Sequence, residues 1–304
     1  MRSVPAVGFV ATKPLQIISS MIVARQLGLR PAVLCVVPAF AEAEGVIARL
    51  RVADAGFASV CRARHRSIAL MSLAMLGAAR IFLDSDVGVK TPVAMYLARA
   101  LRPRLRFSLY EEGLSLIKPH PEERPSNMLV SLGAVPTLGE GRLTDEIWTY
   151  SPDAVRARLP EGGCVKRIEP RIEDFVLGLR QLLSVVFWPS LTDDVRRWSG
   201  RRCLLYLSSW RVEPRVFDHM AGVDAFTICK FHPHLSGVTT HPRGVDHVVS
   251  AAVPAELLLL ELLERFDDVE VWHHGTTVAH YVTSSRIRFK HVAEVIGALQ
   301  IGAS

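Results

Sequence analysis

Short apolar runs alternate with longer stretches of helical period along the whole chain. In the first half, residues 4–10, 32–37, 80–83, 105–109 and 147–150 read as strands, mostly apolar and rich in β-branched and aromatic side chains. Between them, 14–27, 40–51, 67–78 and 91–101 carry apolar positions at helical spacing. Pro14 suits a first helical turn and Gly28 a stop, and Pro92 stands near the start of the fourth helix. Strands that are apolar on both faces and separated by helices predict parallel βαβ units with buried sheets.

The second half repeats the plan. Residues 203–207, 224–230, 246–249 and 269–272 read as strands, with helices over 254–265 and 290–299. Proline, glycine and charge gather over 151–170, which predicts two domains, 1–160 and 161–304. A helix over 172–186 opens the second domain or bridges the two. Two open α/β domains facing each other place a ligand cleft at the carboxyl ends of their strands.

Composition agrees with such cores: 49% of the 304 residues are apolar and 22% are charged, unlike a disordered chain. Nothing approaches the roughly 20 consecutive apolar residues of a membrane span. The start of the chain lacks the apolar core of a signal peptide. The five cysteines are odd in number and form no CxxC pair, which argues against a disulfide framework and a structural zinc site and fits a reducing cytoplasm. A net charge of +6 favours phosphorylated ligands, polyanions or anionic lipid surfaces, or is simply a solvated basic surface. The densest basic clusters, Arg62 to Arg66 and Arg102 to Arg106, have no interleaved aromatics, so a stacking platform for nucleic acid is not indicated.

Chemistry gathers at the predicted strand ends. Lys230-Phe231-His232-Pro233-His234 closes an apolar strand with two imidazoles and an ammonium, held by a stiff turn that can cradle an anion. A backbone-satisfied core histidine is the plain alternative for His232. The dipeptide His-Pro also occurs at His241-Pro242, in a loop that no apolar strand precedes. Glu111-Glu112-Gly113 follows another strand; neighbouring carboxylates raise each other's pKa and can supply a general base. Side chains alternate in extended chain, so one of the two faces the ligand. An acidic loop at a strand end is the bland reading.

Glu256, just after Pro254, complements a helix dipole or holds ribose hydroxyls. Gly275-Thr276-Thr277 precedes a short helix and either caps it or offers N–H groups and hydroxyls to phosphate. Ser208-Ser209 and Ser284-Ser285 are weaker substitutes. Asp84-Ser85-Asp86 is the nearest approach to a divalent-cation cluster and reads as a strand-end loop.

These motifs, in this order, resemble those of the bacterial sialyltransferases, in particular glycosyltransferase family 52 and the related polysialyltransferases. Glu111-Glu112-Gly113 matches the family's acidic-acidic-Gly motif, and His232-Pro233 its His-Pro motif. Residues 253–258 are similar to its ribose-holding segment, and Thr12-Lys13-Pro14-Leu15-Gln16 to its opening. Thr276-Thr277 stands where the family has Ser-Ser/Thr, keeping the hydroxyls, and the chain is short for the family.

The resemblance implies a GT-B fold of two Rossmann-like domains. It implies inverting, metal-independent transfer of sialic acid from CMP-sialic acid to a glycan hydroxyl of a surface polysaccharide or lipooligosaccharide. Glu112 would be the base, with Glu111 second, and His232 would stabilise or protonate the leaving phosphate. Lys230, Pro233 and His234 would support His232; Glu256 would hold the ribose; Gly275, Thr276 and Thr277 would meet the phosphate. No cofactor beyond the CMP-sugar donor is expected, nor a nucleic-acid partner. CMP-Kdo, another CMP-nonulosonate or a UDP-sugar are the rival donors. A basic protein that binds nucleic acid or a lipid surface without catalysis is the rival outside enzymes. A lipid-linked acceptor would bring peripheral contact with the inner face of the cytoplasmic membrane.

Overall fold

The computed structural model describes residues 7–28, 31–111, 113, 116–117, 135, 137–159, 163–198, 200–210, 212–235 and 241–301. The chain forms two compact units. One holds the residues up to Ala39 and Ala43–Arg171; the other holds Phe40–Glu42 and the residues from Ile172.

The first unit is built on a parallel seven-stranded sheet. Its strands are β1 (Val7–Ala11), β2 (Ala32–Val36), β3 (Ser59–Arg62), β4 (Arg80–Leu83), β5 (Arg106–Tyr110), β6 (Glu146–Thr149) and β7 (Val165–Arg167), in the spatial order β3-β2-β1-β4-β5-β6-β7. Helices α1 (Pro14–Gln26), α2 (Ala43–Val52), α3 (Arg66–Met75), α4 (Lys90–Leu101) and α5 (Pro152–Arg158) supply the crossovers. Central strands are buried along their length, which explains their unbroken apolar runs. Phe9 of β1 stacks on Phe82 of β4 with ring centroids 4.9 Å apart. The strand order reverses beside β1, so the C-terminal ends of β1 and β4 flank the topological switch point.

The second unit carries a parallel five-stranded sheet in the order β10-β9-β8-β11-β12. Helices α6 (Ile172–Gly178), α7 (Arg180–Phe187) and α8 (Leu191–Arg197) precede the sheet. Then come β8 (Arg202–Leu207), α9 (Arg215–Met220), β9 (Phe226–Lys230), β10 (His247–Val249), α10 (Ala255–Arg265), β11 (Asp268–His273), β12 (Ile287–His291) and α11 (Val292–Ile301). Here the order reverses beside β8, between β8 and β11. Two parallel Rossmann-like sheets are the α/β architecture of the GT-B fold, as the sequence led us to expect.

Three readings need correction. The helix expected over 172–186 is two, α6 and α7, broken at Leu179 just after Gly178. The final helix begins at Val292 instead of residue 290, because Lys290 and His291 pair with Trp272 and His273 as the end of β12. The cysteines do form a disulfide: Cys35 and Cys61 are 26 residues apart in sequence, yet the parallel register of β2 and β3 sets them opposite one another with Cα atoms 4.7 Å apart. Strand register, invisible in a cysteine count, makes that pair.

Candidate functional site

At the C-terminal edge of the second sheet, three neighbouring strands deliver the candidate residues. β9 ends at Lys230 and is followed by His232; β8 ends at Leu207 and is followed by Ser208; β11 runs into His273, His274 and Gly275. The His232 backbone N–H donates to the Ser208 hydroxyl at 2.8 Å, which ties the two strand ends together. The His234 N–H donates to Nδ1 of His232 at 3.3 Å. Nδ1 of the neutral ring is therefore the acceptor, and Nε2 carries the proton.

Trp210, which sequence reasoning missed, covers both imidazoles. Its ring lies 4.9 Å from that of His232 and 4.6 Å from that of His234, with tilts of 27° and 23°. The two imidazoles are only 5.3 Å apart. An indole sandwiched between them would hold them nearly twice as far apart, so both rest on one indole face. The residue is 64% exposed, so the rest of the ring is open to solvent. The only hint in the sequence is its place three residues beyond β8. The Pro233 carbonyl accepts the Ala41 N–H at 2.8 Å, which fixes the turn.

Lys230 and Glu256 lie beneath this edge, both buried. The Lys230 ammonium donates to the carbonyls of Phe231 at 3.3 Å and Ala251 at 3.4 Å. Burial pushes its pKa down to about 8, against the opposing pull of the Glu256 carboxylate. Burial likewise raises the Glu256 pKa, with Lys230 opposing.

On the far side of β8, Gly275 has φ +87°, a left-handed conformation that favours glycine, although a Cβ there would meet nothing within 4 Å. The Gly275 and Thr276 N–H groups, expected to meet phosphate, donate to Nδ1 of His273 at 2.9 and 3.2 Å. Thr276 Oγ1 accepts from the Val278 N–H at 3.4 Å, which leaves its own hydrogen to donate. Thr277 stands just before the short 3₁₀ turn Val278–His280. Burial first, and then the neighbouring His291, hold the pKa values of His273 and His274 below the ordinary histidine range. Tyr206, its own pKa pushed up to about 12 by burial, shares a 3.0 Å hydrogen bond with Nε2 of His274.

In the first unit, Glu111 follows β5 and is buried. Its carboxylate accepts from the Thr149 hydroxyl and, at 2.8 Å, from the Tyr150 N–H, so it clasps the end of β6. Glu112 lies outside the described residues. Gly113 has φ +120°, again in the region that favours glycine.

A second constellation occupies the switch point of this sheet. The Thr12 hydroxyl and Gln16 Nε2 donate to Asp84 Oδ2 at 2.9 and 3.1 Å, and Arg66 donates to the same oxygen at 2.5 Å. These contacts give the Thr12–Gln16 segment a structural purpose: it knots the ends of β1, β4 and the start of α3. Asp86 accepts from the Gly139 and Gly141 N–H groups and the Thr144 hydroxyl, so its carboxylate is spent on internal bonds. Among the described residues, no group of three or more His, Cys, Asp or Glu side chains is arranged to hold a metal ion.

No protein-family model and no curated protein matches the chain. Solved structures do. The UDP-GlcNAc 2-epimerase from Methanocaldococcus jannaschii superposes with a TM-score of 0.50 at 11% identity, covering 97% of this chain and 91% of that one. The UDP-GlcNAc-bound UDP-GlcNAc 2-epimerase from Neisseria meningitidis gives 0.47 at 12% identity over 88% and 77%. The ADP-heptose heptosyltransferase II from E. coli gives 0.41 at 9% identity over 98% and 99%. At such identities the likeness speaks for fold alone: the chain has the GT-B fold that UDP-GlcNAc 2-epimerases share with GT-B glycosyltransferases.

Proposed function

We propose that this protein is an inverting, metal-independent glycosyltransferase that moves sialic acid from CMP-sialic acid to a glycan hydroxyl. The observation that carries the reading is the presentation of His232: a ring at a strand end beside the switch point, protonated on Nε2 and held under Trp210. An N–H fixed in place hydrogen-bonds to the negative charge that grows on a departing phosphate. Thr276 and Thr277 offer hydroxyls to the same phosphate, and Lys230 with Glu256 set the local charge from below. Glu112 is the proposed base toward the acceptor hydroxyl, with Glu111 anchoring the chain before it.

Purified protein incubated with CMP-sialic acid and a lipooligosaccharide acceptor is expected to release CMP and form a sialylated product. Glu112→Ala should abolish most of that release, whereas Trp210→Ala should lower kcat/KM about tenfold by loosening both imidazoles. No CMP release from any CMP-sugar with any acceptor would sink the reading. The same panel contains the rivals. UDP release would favour a UDP-sugar donor. Interconversion of UDP-GlcNAc without an acceptor would favour the epimerase chemistry named for the superposed structures. Salt-sensitive binding to nucleic acid that ignores Glu112→Ala would favour a binding protein.

A further inference from the structure

Helix α4 is apolar on two opposite faces. Thr91, Ala94, Met95 and Ala98 are buried against the first sheet. Val93, Tyr96, Leu97 and Leu101 recur at the same helical spacing on the other side and are 50 to 62% exposed. A surface helix ordinarily turns polar residues outward; one that is apolar all round has a second apolar surrounding. Helix α3 packs beside α4 and adds Ile68, Met75 and Leu76, which are 48 to 70% exposed.

Charge identifies the surrounding. Exposed Lys90 begins α4, and exposed Arg102, Arg104 and Arg106 follow its end. No carboxylate of the described residues pairs with any of these four. From Arg62 to Arg106 the only acids are Asp84 and Asp86, and both are buried. The face is thus apolar in the middle and cationic at its ends, and the exposed Asp145 beside it is paired with Arg99 of α4 at 2.6 Å. A second copy docked on it about a two-fold axis would set like charges together. An anionic lipid leaflet takes both features, with apolar side chains at the acyl boundary and cations at the headgroups.

We propose that the α3–α4 face is a docking surface for anionic membrane. The proposal does not depend on the reaction above, because its test needs neither donor nor acceptor. The full chain is sedimented with vesicles of phosphatidylcholine plus phosphatidylglycerol, and with vesicles of phosphatidylcholine alone. Binding is expected to the anionic vesicles and to fall with salt. Tyr96→Ser/Leu97→Ser/Leu101→Ser and Arg102→Gln/Arg104→Gln/Arg106→Gln should each weaken it about tenfold. Unchanged circular dichroism melts show that these exposed substitutions leave the fold intact. Equal sedimentation with and without vesicles would overturn the proposal. So would binding that neither variant weakens, or a concentration-dependent dimer that the apolar variant abolishes.

Discussion

Glu256→Ala is expected to lower the unfolding free energy at neutral pH by about 1 to 3 kcal/mol, because it withdraws the carboxylate that favours the charged form of buried Lys230. Urea denaturation reads it directly, as a lower midpoint at unchanged slope. The loss should shrink above about pH 8, where Lys230 sheds its proton. Lys230 makes its own pH signature, and its sign is fixed. Its folded pKa of about 8 lies below the ordinary 10.5, so between those values the unfolded chain holds more protons than the native one. Stability therefore gains a rising contribution across that window, on the order of 3 kcal/mol in all. Lys230→Met removes the rise, and in the Glu256→Ala background it restores much of the lost stability. Parallel pH curves for the parent and Lys230→Met, or a Glu256→Ala protein as stable as the parent, would refute this account.

His232→Ala is expected to lower turnover by about 10²- to 10³-fold, the scale of losing one fixed hydrogen bond to developing charge. The loss should fall mainly on kcat, because in the proposed mechanism the ring acts as the phosphate departs. His232→Asn restores an N–H near the same position without an ionisable ring and should recover part of the rate. Its pH profile should therefore lack the limb that the imidazole contributes. Near-normal turnover in His232→Ala would remove His232 from the mechanism and leave Trp210 stacked on a merely structural ring.

The central strands were legible in the sequence because they are buried on both faces and so read as unbroken apolar runs. Of the four edge strands only β10 was. In β3 and β7 the runs are short and broken by Ser59, Arg62, Lys166 and Arg167, since an edge strand meets solvent. β12 alternates Ile287, Arg288, Phe289 and Lys290, a pattern that only β11 beside it turns into a strand.

The site divides in the same way. His232 and Thr276 could be picked out because polar residues closing an apolar strand are conspicuous. Trp210, the Asp84 knot and the Glu111 clasp depend on which strands lie side by side, and the linear chain does not record that. Nor does it show that Lys230 and Glu256 lie inside the unit: as letters, a buried lysine and an exposed one are the same.

The Glu111 clasp bears on how inactive variants are read. The carboxylate that holds the end of β6 belongs to the residue immediately before Glu112. Substituting Glu111 would release two strand ends at once and let the next residue drift. Lost turnover at Glu111 would then mimic the loss of a base while reporting a slipped anchor. A lowered melting temperature accompanying that loss is the signature that separates the two neighbours.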